Sequence, residues 1–233
     1  MIDIHCHILP GIDDGPRDLK AAVKMARLAA KDGIKVIVAT PHCFDGVYDC
    51  QQYDIGGLCE NLNVVLQRER IHLRIIPGAE IRLTPEFLKL AEEEKLLTLG
   101  NFGRDVLIEL PDVFLPDAVY DLFKLLRNKN VRCIVAHPER NTLILSNNHI
   151  LEGIVNAGAA LQITAGSLTG LFGKEPQILA HRILKMVCIR FLASDGHCIK
   201  KRKPVLAKAR KIVGKKAGDE TAWKMISGIE LSI

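Results

Sequence analysis

Residues 33–42 read Gly33-Ile34-Lys35-Val36-Ile37-Val38-Ala39-Thr40-Pro41-His42. The unbroken apolar run Val36-Ile37-Val38-Ala39 fits a strand covered on both faces, because a half-solvated strand alternates apolar with polar residues. Just upstream, from about Arg17 to Asp32, Leu19, Ala22, Val23, Ala26 and Ala29 share one helical face, and Gly33 stands where a glycine closes a helix. Helix followed by buried strand is the repeating piece of a parallel α/β sheet.

The alternation continues in both directions. Strands are expected at 2–5, 34–40, 72–77, 105–110, 131–136, 160–164 and 189–193. Helices are expected after the N-cap Thr84 with Pro85 in the first helical position, and after Pro116, Asn148, Glu175, Pro204 and Asp219. Units of roughly 30 residues nearly fill the 233-residue chain. No Pro/Gly-rich seam divides it, so residues 1–233 read as a single α/β domain, a barrel of about seven strands, with an open doubly wound sheet as the alternative.

Composition narrows the classes. With 48% hydrophobic and 25% charged residues the chain is neither disordered, collagenous nor low in complexity. It has no apolar run long enough to span a membrane. Its first residues, Met1 to His7, lack the basic and apolar regions of a signal peptide, which leads to the expectation of a cytoplasmic protein. Seven cysteines, an odd number with no C-x-x-C pair, fit reduced thiols. The net charge of +5 comes from one stretch, 200–216, which holds nine Lys or Arg and no acid. Such a run suits an anionic partner, nucleic acid included, or a solvated helix face, since Val205, Leu206, Ala209, Ile212 and Val213 recur at helical spacing.

Chemistry concentrates at the strand ends. His5-Cys6-His7 closes the first strand, His42 the second, Glu80 follows the third, Glu109 lies in the fourth, His137 follows the fifth, and Asp195-Gly196-His197 follows the seventh. In parallel α/β folds those ends converge on the functional face. Imidazoles and carboxylates together suit divalent metals, and there are too many for a single tetrahedral ion, so two or three cations are expected. The remaining histidines, His72, His149 and His181, carry no such pattern. No cysteine-phosphatase loop, G-x-S-x-G elbow or P-loop is present, which points to water activated by coordinated cations as the nucleophile.

The order His-x-His, His, Glu, Glu, His, Asp-x-His resembles the PHP superfamily. Leu9-Pro10-Gly11-Ile12-Asp13-Asp14-Gly15-Pro16, Ala39-Thr40-Pro41-His42, Ala136-His137-Pro138-Glu139-Arg140-Asn141 and Thr164-Ala165-Gly166-Ser167-Leu168-Thr169-Gly170 narrow the likeness. They resemble the bacterial manganese-dependent protein-tyrosine phosphatases of capsule and exopolysaccharide synthesis, the CpsB/YwqE type. The resemblance implies a distorted, TIM-like (β/α)7 barrel with three metals. His5, His7, Glu80 and Asp195 would hold one, with Glu80 bridging to a second on Glu109 and His137. Asp14, His42 and His197 would hold the third. Manganese is the first expectation, with iron, zinc, cobalt or magnesium as alternatives.

The resemblance also implies catalytic roles for Arg140, Arg202 and Asp14, the two arginines gripping phosphate. It implies as partner a phosphotyrosine-bearing protein, the Tyr-rich tail of a tyrosine kinase that regulates polysaccharide export. A small phosphate ester such as histidinol phosphate, or nucleic-acid ends, is the alternative substrate, and a non-enzymatic metal-stabilised barrel a third reading. Oligomeric state stays open. Cys43 stands where the family commonly has a second His, and Gly196 and Cys198 where it commonly has Ala and Asn.

Overall fold

Local chemistry starts and stops the first helix as the pattern predicts. Asp18 accepts a hydrogen bond from Ala21 N (2.8 Å) at the head of α1 (Leu19–Asp32), and Gly33 closes it in the left-handed region at φ 94°. The computed structural model describes residues 1–92 and 96–227, so the end of the expected 1–233 span, 228–233, lies outside the described residues.

All seven expected strands form. They are β1 (Ile2–Cys6), β2 (Val36–Ala39), β4 (Arg74–Pro77), β6 (Asp105–Glu109), β7 (Arg132–Ala136), β8 (Ala160–Thr164) and β9 (Arg190–Ala193), joined by two short segments, β3 (His42–Cys43) and β5 (Glu80–Arg82). Every pairing is parallel, in the orders β1-β2-β4 and β3-β5-β6-β7-β8-β9. The short segments continue β2 and β4. Ala39 faces Pro77, and beyond Thr40-Pro41 and Gly78-Ala79 the same register resumes with His42 facing Glu80. Pro41 offers no backbone donor, and a Cβ on Gly78 would come within 2.7 Å of Val38 Cγ1, so both strands are interrupted where their chains press together.

The last strand returns to the first. Asp195 N donates to His5 O and His7 N to Gly196 O, each at 2.9 Å, and Ser194 N donates to the Asp3 carboxylate at 2.9 Å. The pairings therefore run round a closed, TIM-like parallel barrel of seven staves.

Alternate residues face its interior. Ile4, Val36, Val38, Ile76, Leu107, Ile134 and Phe191 pack inside, while Ile37, Ile75, Ile108, Val135 and Leu192 pack outward against the helices. In β1 the alternation is reset. Its register to β2 shifts between Asp3 and Cys6, a bulge of one residue. Ile2 and Ile4 belong to the inner cluster, yet Cys6 belongs to the outer one, so His5 and His7 turn inward.

The helices expected late in the chain form as α3 (Pro85–Glu92), α4 (Ala118–Asn128), α6 (Asn148–Asn156), α8 (Lys174–Ile183), α9 (Ala207–Ala217) and α10 (Asp219–Ser227). Short α5 (Thr142–Ser146) and α7 (Ala165–Leu168) accompany them. One long helix, α2 (Ile55–Arg68), was not expected. Gly56-Gly57 weakens its helical signal by about 1 kcal/mol per glycine, and burial of Cys59, Leu62 and Leu66 outweighs that cost. Among the described residues no helix is long and apolar enough to cross a membrane.

Phe191 fills the barrel interior and is 2% exposed. Phe191→Ala is expected to cost about 3–5 kcal/mol, a fall of roughly 10 °C in Tm. A thermal melt of the variant checks this, and a shift of only a degree or two would mean the interior is not packed as described.

Candidate metal centre and active site

The C-terminal ends of the staves deliver their side chains to one mouth. His5 and His7 come from the bulged end of β1, His42 from β3, Glu80 from β5 and Glu109 from the end of β6. His137 follows β7, Asp195 and His197 follow β9, and Asp14 comes from the loop before α1. His137 (φ 33°) and Asp195 (φ 52°) take left-handed backbone conformations, strain of the kind that concentrates at functional sites.

Glu80 is the hub. Its Oε1 lies 2.9 Å from His137 Nε2, and its Oε2 lies 3.3 Å from both His5 Nε2 and His7 Nε2 and 3.2 Å from His42 Nδ1. Three overlapping groups result, each with its ligand atoms within 4.8 Å of one another. They are His5, His7 and Glu80; Glu80, Glu109 and His137; and His7, Asp14, His42 and His197. The structure thus brings together eight of the nine side chains expected as ligands, with His7 contributing to two groups.

Asp195 stands slightly apart. Its Oδ1 is 3.4 Å from His5 Nε2, but its carboxylate is held by both arginines: Arg202 donates to its two oxygens at 2.7 Å, and Arg140 donates to Oδ2. Arg140 also lies over the Phe172 ring, 4.4 Å from its centroid.

The donor set fits divalent cations. Glu80 Oε2, His42 Nδ1 and His197 Nε2 are buried without a hydrogen-bond partner, although each has a charged or imidazole neighbour close by. His5 Nε2 and His7 Nε2 face each other at 3.2 Å. Imidazole nitrogens and carboxylate oxygens that converge in a buried cluster, several of them without a hydrogen-bond partner, are the donor set that a shared divalent cation would fit.

Electrostatics describe the same set without a cation. Burial alone would lower His5 and His7, but Glu80 and Asp195 around His5, and Asp13 and Glu80 around His7, outweigh it and raise both to about 9. Burial and the neighbouring His7 charge push His197 down to about 4. Burial opposes ionisation of Asp14, yet the adjacent His197 and His42 imidazoles hold it far below the usual carboxylate range, so it is a charge-bearing group rather than a proton donor.

Several functional partners escape sequence reasoning. Asp13 accepts from His7 Nδ1 at 2.7 Å, from Gly15 N at 2.9 Å and from His42 N at 3.3 Å. Gln162 Oε1 is 2.8 Å from His5 Nδ1 and accepts from His137 N at 3.3 Å. Both fix the ring orientation of an imidazole, as carboxylates and amides do behind metal ligands. Their only signals were an acid beside Asp14 and an amide flanked by Leu161 and Ile163 in a buried strand. Arg82 donates to Glu109 at 2.8 Å and steadies it. Cys43 and Cys198 adjoin the cluster, but neither belongs to a group of convergent ligand atoms.

A closed parallel barrel with five imidazoles and four carboxylates at one mouth is the architecture of metal-centred α/β barrel proteins. The chain belongs to the CpsB/CapC family of capsular polysaccharide synthesis, whose family model matches residues 1–228. It is 39% identical to the tyrosine-protein phosphatase YwqE of Bacillus subtilis over 231 residues, 99% of this chain and 91% of that protein. It is 29% identical to the tyrosine-protein phosphatase CpsB of Streptococcus agalactiae, covering 95% of this chain and 93% of that one. A crystal structure from work on YwqE of B. subtilis and CpsB of Streptococcus pneumoniae, both described as metal-dependent tyrosine phosphatases, superposes with a TM-score of 0.90. That match covers 97% of this chain and 91% of the other at 39% identity. A lactonase from Listeria monocytogenes, 12% identical with a TM-score of 0.54, shares the fold alone.

The raised pKa values carry a signed prediction. His5 and His7 hold protons in the metal-free protein below about 9, so a cation must displace them. Titrating Mn²⁺ into metal-free protein at neutral pH is expected to release protons, and apparent affinity should rise with pH and level off near 9. Calorimetry in buffers of different ionisation enthalpy reads the release, and affinity independent of pH between 6.5 and 9 would contradict it.

Proposed function

We propose that this chain is a metal-dependent protein-tyrosine phosphatase, a phosphoric monoester hydrolase acting on phosphotyrosine in a protein that controls capsular or exopolysaccharide synthesis. The observation that carries the reading is the position of two guanidiniums, Arg140 and Arg202, on Asp195 at the edge of three overlapping ligand groups. The 39% identity to YwqE over nearly the whole chain supports the choice of substrate class.

In this reading the sites are those the family resemblance implies. His5, His7, Glu80 and Asp195 hold one cation, Glu80, Glu109 and His137 a second, and Asp14, His42 and His197, with His7 beside them, a third. Manganese is the first candidate. Bound divalent cations supply Lewis acidity to phosphoryl oxygens and a water made nucleophilic at neutral pH.

The chain's own residues do the rest. Glu80 is shared between neighbouring groups and fixes their spacing. Asp13 and Gln162 lock His7 and His5 in one orientation. Asp195 aligns both arginines, and the Phe172 ring limits the motion of Arg140. A guanidinium fork matches phosphate oxygens bidentately, and Arg202 Nε, buried and without a partner, has a donor to spare. Neutralised equatorial oxygens stabilise a phosphoryl-transfer transition state.

The natural substrate in this reading is the tyrosine-rich tail of a kinase that regulates polysaccharide export. Residues 1–233 act as one PHP-type catalytic domain. Its seven cysteines, all unpaired, suit the reducing cytoplasm.

Two variants separate the roles. His137→Ala should lose metal from the Glu80–Glu109 group and nearly all turnover. Arg202→Lys should keep its metal content but lower kcat/KM for a phosphotyrosine peptide by about 10²-fold, since a point charge replaces a bidentate fork. Metal analysis beside phosphate-release assays checks both. Wild-type turnover in His137→Ala, or no phosphate release by the metal-loaded wild type, would overturn the reading.

A further inference from the structure

The basic run 200–216 divides between two structural roles. Its second half is α9, which buries Ala209 and Val213, leaves Lys211, Lys215 and Lys216 exposed, and turns one lysine, Lys208, to the cavity that the first half faces. Its first half is a loop wrapped around the active-site mouth. There Arg202 turns inward to Asp195, and the lysines on either side of it face a cavity of about 430 Å³.

That cavity adjoins the reaction centre. Ser194, next to Asp195, and Arg202 itself form part of its wall. Leu171 and Phe172 make an apolar side, and Lys200, Lys201, Lys203 and Lys208 a cationic one, with no acid in the lining. All four lysines are exposed, and none is ion-paired with a described acid. By contrast, Arg140 and Arg202 are paired with Asp195, and Arg82 with Glu109. Across the mouth the rim is acidic, with Asp45 beside His42 and Asp112 beside Arg82.

We propose that this cavity is an anion subsite that binds acidic side chains flanking the phosphotyrosine of a peptide substrate, with Lys201, Lys203 and Lys208 setting specificity. The proposal rests on the phosphotyrosine phosphatase reading and deepens it. An extended peptide advances about 3.3 Å per residue, so the residues next to a phosphotyrosine held by Arg202 stay within reach of the lysines that line the same cavity. The apolar wall receives the aliphatic part of Asp or Glu, and the ammonium groups receive the carboxylate. A nucleic acid fits less well. Phe172, the one aromatic residue among those lining the wall, already carries Arg140 on one face, so it is a poorer platform for stacking a base than a free ring would be.

The test compares two labelled phosphotyrosine peptides, one with Asp and Glu flanking the phosphotyrosine and one with Asn and Gln there. The metal-loaded full chain is assayed as wild type and as Lys201→Gln/Lys203→Gln/Lys208→Gln, with p-nitrophenyl phosphate as a small ester that has no flanking side chains to reach the lysines. Wild type should favour the acidic peptide by about tenfold in kcat/KM, mostly through KM, and the preference should shrink with added salt. The triple variant should lose it while hydrolysing the small ester normally.

Equal kcat/KM for the two peptides, or a preference that survives in the triple variant, overturns the subsite and leaves the phosphatase reading intact. Absence of turnover on every phosphotyrosine substrate sinks the phosphatase reading instead. Fluorescence anisotropy of the same peptides still reads the subsite in that event. Tighter binding of a DNA oligomer than of the acidic peptide, lost in the triple variant, would overturn the choice of a peptide.

Discussion

The site depends on how the first strand closes against the last. One extra residue between Asp3 and Cys6 resets the inward–outward alternation of β1, and without it His5 and His7 would face the helices instead of the barrel mouth. Asp3 secures the bulge. Its carboxylate, fully buried and raised to about 6 by burial, accepts from Ser194 N on the closing strand and from His5 N at 3.4 Å. The same seam fixes Asp195 and His197, because Asp195 N and His7 N complete its ladder. A single local irregularity thus brings residues from the two ends of the chain within hydrogen-bonding distance.

A second constraint is electrostatic. Four carboxylates and five imidazoles occupy one mouth, most of them buried, and ionised groups at that density are costly unless opposite charge is interposed. Protons on His5 and His7 and the two arginines on Asp195 supply part of that charge. The unpartnered Glu80 Oε2, His42 Nδ1 and His197 Nε2 mark where more is required. In the proposed reading, the arginines that balance Asp195 are the groups that receive the phosphate.

Much of this was legible in the residues. Covered parallel strands read as apolar runs, so all seven staves could be placed from sequence, and ligand types at strand ends marked the functional mouth. Less was visible where geometry overrides pattern. The β1 bulge leaves no trace in Ile2-Asp3-Ile4-His5, which reads as simple alternation with the histidine facing outward. The splits at Thr40-Pro41 and Gly78-Ala79 are set by packing between neighbouring strands. α2 is masked by its two glycines. Asp13 and Gln162 were missed because positioning groups have no spacing rule of their own; they are defined by the ring nitrogen they meet in space.

The most direct measurement is anomalous diffraction at the manganese edge from crystals of the metal-loaded protein. Peaks should lie among His5, His7 and Glu80, among Glu80, Glu109 and His137, and among Asp14, His42 and His197. Manganese bound elsewhere, or a map with no peak inside the ring of imidazoles, would contradict the assignment of these residues as a metal centre.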